Sequence, residues 1–130
     1  MIVVDASALL EILLRTPAAE RVERRLFAAL ETLHAPHLLD VEAAQVIRRY
    51  AALGELEVER GRIALEILAD FPLRRYGHSV FLPRIWDLRN NVTAYDAVYV
   101  ALAEALEAPL VTCDRRLAAT GGHRARIEVV

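Results

Sequence analysis

The chain predicts an α/β fold, a parallel sheet with helices on both of its faces. Three observations carry this. Met1-Ile-Val-Val4 is a continuous apolar run rich in β-branched residues, which reads as a buried strand, and Asp5 ends it. Leu110 to Thr112 repeats the arrangement, a short apolar strand followed by Asp114 and the opening of a helix. Between these two ends lie mostly helical segments, so strands and helices alternate at the termini, as they do in sheets built from crossover units.

Element by element, Ser7 offers an N-cap for a helix over Ala8 to Leu14 that has little polar surface. Thr16-Pro17 starts the next helix, with proline in its first position, and Val22, Leu26, Leu30 and Leu33 form its apolar stripe. Asp40 can cap a helix that holds Glu42 in its first turn and ends at Leu53-Gly54. Glu55 to Asp70 is amphipathic and stops at Phe71-Pro72, and Leu73 to Tyr76 follows as a short strand. Ser79 can cap a helix through Arg89 with Leu82, Ile85 and Trp86 facing inward. Thr93 stands three residues before Asp96, the spacing of a capping box, and from Ala97 to Leu106 only Glu104 is charged. A helix apolar on nearly every face is a buried one. Arg126 to Val130 closes the sheet after Gly121-Gly122.

Composition fits one domain spanning residues 1–130, long enough to bury a core without a staple. Hydrophobic residues make up 55% of the chain, yet no apolar run approaches a membrane span, and the first residues lack the charged start of a signal peptide. A single cysteine, Cys113, excludes an internal disulfide and a cysteine-based zinc site. A cytoplasmic location is expected. The net charge of −2 lacks the basic excess of many nucleic-acid binders. Every one of the sixteen basic residues is arginine. Glu20 and Arg24 form a helical i,i+4 pair on a solvated face, whereas Arg115 and Arg116, beside Asp114, are candidates for holding a phosphodiester through forked contacts. His34, His37, His78 and His123 are scattered and lack metal-ligand spacing, so they read as structural or exposed.

The chemistry lies in four carboxylates. Asp5 and Asp114 end strands, and in open parallel sheets that edge is where ligands bind. Asp96 and Glu42 sit at helix starts. Each has a local explanation: turn residue, capping acid or partner of the helix dipole. Together they would repel in a partly buried site unless their pKa values rise or a cation neutralises them. An all-oxygen donor set favours a hard divalent ion, magnesium or manganese, which uses one or two carboxylates and leaves the others to position or deprotonate a water. Loss of one acid should then leave metal-free stability level or higher.

The segments Met1-Ile-Val-Val-Asp5-Ala-Ser7, Leu39-Asp-Val-Glu42, Thr93-Ala-Tyr-Asp96-Ala-Val-Tyr-Val-Ala-Leu-Ala and Leu110-Val-Thr112-Cys-Asp114-Arg-Arg-Leu resemble the motifs of PIN-domain proteins. More narrowly, they resemble the VapC toxins of type II (VapBC) toxin–antitoxin systems. The resemblance implies a three-layer α/β/α fold with a central parallel sheet of four to five short strands. It also implies a metal-dependent endoribonuclease, acting on RNA and neutralised by a small VapB-type antitoxin. The acidic quartet carries over to Asp5, Glu42, Asp96 and Asp114, with Ser7, Asn91 and Thr112 at supporting polar positions. In that reading Asp5 and Asp96 hold Mg²⁺ or Mn²⁺ directly, Asp114 does so directly or through water, and Glu42 orients or deprotonates the attacking water. Some PIN domains place a further acid after the fourth, where this chain has Arg115 and Arg116. The apolar helix surfaces predict a homodimer as well as an antitoxin contact. A phospho-acceptor receiver domain also uses strand-end acids but needs a lysine, which this chain lacks. A catalytically inactive PIN-type module that binds RNA or protein is the competing alternative.

Overall fold

The computed structural model describes all residues, Met1–Val130. Five short strands form one wholly parallel sheet: β1 (Ile2–Val4), β2 (Leu33–Pro36), β3 (Leu73–Tyr76), β4 (Leu110–Thr112) and β5 (Ile127–Val129). Their order across the sheet is β3-β2-β1-β4-β5, which puts the first strand in the middle. Seven helices connect them: α1 (Ala6–Leu13), α2 (Ala19–Phe27), α3 (Leu38–Ala52), α4 (Val58–Asp70), α5 (Leu82–Asp87), α6 (Ala94–Leu106) and α7 (Arg115–Ala118). From β1 the chain winds outward through β2 to β3, then returns over the sheet to β4 and β5 on the other side. Right-handed crossovers therefore place α1 to α4 on one face and α6 and α7 on the opposite face. The reversal falls between β1 and β4, and crevices at such a point, outside the strands' carboxyl ends, are ligand sites in open α/β sheets.

The core is one cluster of 26 buried residues in which all of β1, Leu110 and Val111 of β4, and a nearly continuous run of α6 meet. Ala97 to Ala103 are all buried, as the uncharged sequence of that helix predicts. No helix is long and apolar enough to cross a membrane.

Several local expectations are corrected. Helix α1 starts at Ala6, capped by Asp5 itself, whose Oδ1 accepts the Ala8 amide at 3.0 Å; Ser7 is not the cap. Helix α3 starts at Leu38, two residues before Asp40, which makes no cap and pairs with Arg75 at 2.8 Å. Glu42 thus lies a turn further in than the first-turn position expected. Leu33, read as the end of an apolar helical stripe, opens strand β2. Helix α4 begins at Val58 rather than Glu55. Ser79 opens a 3-10 turn, Ser79–Phe81, and the short α5 after it turns Leu82 and Trp86 outward. The Arg89 guanidinium covers the Trp86 ring at 4.8 Å.

Candidate active site

A cleft of about 670 Å³ opens at the carboxyl edge of the sheet, and Asp5, Glu42, Asp96 and Asp114 all line it. Four elements deliver them. Asp5 follows the central strand β1, Asp114 follows its neighbour β4, Glu42 comes from α3 and Asp96 from the first turn of α6. Thr93 fixes that turn by accepting the Asp96 amide. Asp114 caps α7 by accepting the Arg116 amide at 2.8 Å. Asp5 is therefore a turn acid satisfied by a local amide and Asp114 opens the next short helix, as read from the sequence, and both acids still face the cleft.

Asp5 is buried and heavily bonded. Its Oδ1 accepts from the Ser7 hydroxyl at 2.7 Å and the Ala8 amide, and its Oδ2 accepts from Thr112 at 2.5 Å. A carboxylate offers about four lone-pair directions, so one on Oδ2 remains. Ser7 in turn accepts the Cys113 amide at 2.9 Å, and Thr112 accepts the Asp114 amide at 2.9 Å. These two hydroxyls lock the Asp5 turn to the Asp114 turn. Glu42 is half-buried, with Oε2 accepting the Tyr99 hydroxyl at 2.5 Å.

The electrostatics follow from burial and crowding. Burial pushes the Asp5 carboxyl above its ordinary pKa against the pull of its hydrogen bonds to Thr112, Ala8 and Ser7, and Asp96 adds to the rise. Glu42 is raised first by burial and then by the charges of Asp96 and Asp5, with Tyr99 opposing. Asp96 is raised by burial and by Asp114. Arg49 is the one basic side chain lining the cleft. The site thus concentrates negative charge, offset in part by Arg49 and by the pull of Arg116 on Asp96 from outside the cleft, and it suits a cation. No three acidic side chains gather tightly enough to enclose one. An ion held by one or two carboxylates, with water and substrate oxygens completing its shell, fits this donor set, and that is magnesium's habit.

Of the supporting residues, Ser7 lines the cleft and Thr112 stands behind Asp5, as expected. Asn91 does not join them. It is exposed, and its amide packs against Gly122, whose φ of 80° brings the backbone so close that a Cβ there would lie 2.7 Å from the Asn91 amide. Arg115 and Arg116 also stay outside the cleft; the Arg116 side chain is 94% exposed and touches Asp114 from the solvent side at 3.5 Å. The residue that sequence reasoning missed is Tyr99. Its spacing of three from Asp96 puts both on one face of a helix, a signal that was available but reads equally well as core packing.

The sequence matches the PIN domain family over residues 2–122. It is 44% identical over 130 residues to Ribonuclease VapC12 of Mycobacterium tuberculosis, covering 100% of this chain and 99% of that protein. It is 48% identical over 130 residues to Ribonuclease VapC9 of the same organism, covering 100% of this chain and 98% of that one. Its fold is similar to that of VapBC2 from Rickettsia felis, solved bound to a DNA fragment from its promoter, with a TM-score of 0.72 at 16% identity over 99% of this chain and 98% of that chain.

Proposed function

The chain belongs to the PIN-domain family, and on that premise we propose that it is a toxic, metal-dependent endoribonuclease, held in check by a small cognate antitoxin. The observation that carries the reading is the convergence of Asp5, Glu42, Asp96 and Asp114, from four separate elements, on one cleft at the sheet's reversal point. Full-length relatives at 44% and 48% identity bear the name ribonuclease, which supports RNA as the substrate.

Asp5 through Oδ2 and Asp96 would hold Mg²⁺ or Mn²⁺, with Asp114 bound directly or through a water. When bound, the ion lowers the pKa of a water and offsets charge growing on the phosphate. Glu42 would accept a proton from the attacking water as the water's oxygen bonds to phosphorus. The P–O bond on the far side breaks, and the leaving oxygen takes a proton from solvent. A carboxylate raised by burial is a stronger base than an exposed one, which suits Glu42 to the task.

Protein partners follow from exposed apolar surface. Leu10, Leu14, Leu38 and Val46 extend the cleft away from the acids, and Val41, Leu53 and Val58 are exposed on or beside α3 and α4. A VapB-type antitoxin tail would cover this surface and block the acids, and a homodimer would bury further apolar area. Both roles belong to a cytoplasmic protein.

The test is cleavage of a pool of randomised RNA oligonucleotides by purified, antitoxin-free protein. Activity with Mg²⁺ or Mn²⁺ that is abolished by EDTA and weak with Ca²⁺ is expected. Full cleavage in chelator would overturn the metal mechanism. Coexpression of the neighbouring small open reading frame should restore growth and co-purify. A harmless, monomeric protein indifferent to that neighbour would revive the binding-module alternative.

A further inference from the structure

We propose that Tyr99 is a positioning residue for Glu42: its buried hydroxyl fixes one carboxylate oxygen and leaves the other to take the water's proton. The inference rests on the ribonuclease reading for its catalytic part and on the geometry alone for the contact. Tyr99 is 2% exposed, among the largest fully enclosed side chains of the core. A buried tyrosine must place its hydroxyl against an acceptor. Here that acceptor is a cleft carboxylate, Glu42 Oε2, at 2.5 Å.

The placement joins three parts of the site. Tyr99 lies one turn after Asp96 on α6, so one helix face presents an acid to the cleft and a lock for a second acid. Glu42 belongs to α3, in the helical layer on the other side of the sheet. The contact therefore spans the end of the sheet and registers α3 against α6. With Oε2 taken, the rotamer of Glu42 is restricted, and Oε1, which has no protein partner and is not enclosed, is the oxygen left for chemistry. Burial, the Glu42 charge and its hydrogen bond all push the phenol pKa upward, so the hydroxyl keeps its proton and remains a donor throughout turnover.

A double-mutant cycle tests this with Tyr99→Phe, Glu42→Gln and the combination, under single-turnover conditions on the randomised RNA pool. Phenylalanine keeps the packing and removes only the hydroxyl. Tyr99→Phe should lower kcat by roughly 10- to 100-fold with KM unchanged, the loss a misplaced base produces. In the Glu42→Gln background the same substitution should add no further loss. A wild-type kcat in Tyr99→Phe, or an equal loss in both backgrounds, would overturn the proposal. The contact itself is read without RNA or metal, by the slowly exchanging downfield hydroxyl proton of Tyr99 in the proton NMR spectrum. It should vanish in Tyr99→Phe and move upfield in Glu42→Gln; a resonance indifferent to Glu42→Gln would refute the contact. A wild-type protein that cuts no RNA would sink the ribonuclease reading and leave this resonance to decide.

Discussion

Thr112 and Asp5 lie 107 residues apart in the chain, and the Thr112 hydroxyl donates to Asp5 Oδ2 at 2.5 Å. The same hydroxyl oxygen accepts the Asp114 amide, so one atom ties the acid of β1 to the acid of β4. Thr112→Val keeps the shape of this fully buried side chain and strands both partners. We predict a destabilisation of about 1–3 kcal/mol, the usual consequence of unpairing buried polar groups, measured by urea unfolding. The Asp5 pKa should rise further, since this is the strongest of the hydrogen bonds that lower it. A midpoint equal to wild type would show that the pairing is not a structural requirement.

Asp96→Asn and Asp5→Asn should both abolish RNA cleavage yet differ in stability. Asp96 is raised by burial and by its repulsion with Asp114, so neutralising it leaves the metal-free fold level or more stable. Asp5 accepts three hydrogen bonds, and an asparagine amide nitrogen cannot accept any. For Asp5 that loss outweighs the relief of repulsion, and Asp5→Asn should lower the melting temperature. Thermal unfolding in EDTA separates the two; equal shifts in the same direction would contradict the assignment.

The pH dependence has a definite sign. Folded Asp96 has a pKa above its ordinary 3.8 and so binds protons more readily than the unfolded chain. Its favourable contribution is fully present below about 3.8 and is lost as pH rises through the raised folded value. In EDTA, wild type should therefore lose stability relative to Asp96→Asn as pH climbs through that window. Saturating Mg²⁺ should reverse the difference above it, because an ion bound to the carboxylate stabilises only the folded protein. Urea unfolding at stepped pH, with and without Mg²⁺, measures this; a constant offset between the two proteins would rule out a perturbed Asp96.

Arg75 should matter more than any surface arginine. Its Nε donates to Asp40 at 2.8 Å, its Nη2 to the Leu68 carbonyl at 2.7 Å and its Nη1 to the Leu73 carbonyl at 3.3 Å, tying α3, the end of α4 and β3 together. Arg75→Ala is predicted to cost about 1–3 kcal/mol in urea unfolding. Arg62, exposed between Glu59 and Glu66, should leave the midpoint unmoved when changed to Ala.

The strand ends were legible because nothing but a buried strand explains Ile2 to Val4 and Leu110 to Val111, and an acid after each is conspicuous. The α6 segment was legible because a helix without a polar face has to be buried. Strand β2 was not. Leu33-His-Ala-Pro36 is short and carries a histidine, whose ring is satisfied in the fold by Thr32 and by Tyr76 of β3, each at 2.7 Å. That pairing exists only after the sheet forms, so local pattern cannot reveal it. Trp86 misled for a related reason: inward packing is the ordinary fate of a large apolar residue, but α5 is too short to bury two turns. Among the site residues, the acids announced themselves by charge in apolar surroundings. Asn91 and the arginine pair had only position in their favour, and position in sequence does not say which way a turn exit points.

The central place of β1 in the sheet has a consequence for synthesis. A ribosome makes Asp5 long before Asp114, and β1 waits for its second neighbour, β4, until Leu110 to Thr112 exist. Through most of translation Asp5 therefore lacks the Thr112 hydroxyl and the Asp114 turn that hold it in shape. The quartet comes together only after the segment that carries β4 and Asp114 has left the ribosome. Strand order thus delays completion of the site in an enzyme that attacks RNA while it is still beside the RNA-rich machine that builds it. Nascent chains arrested before Leu110 should show no cleavage and no cooperative unfolding, and an active arrested chain would disprove this built-in delay.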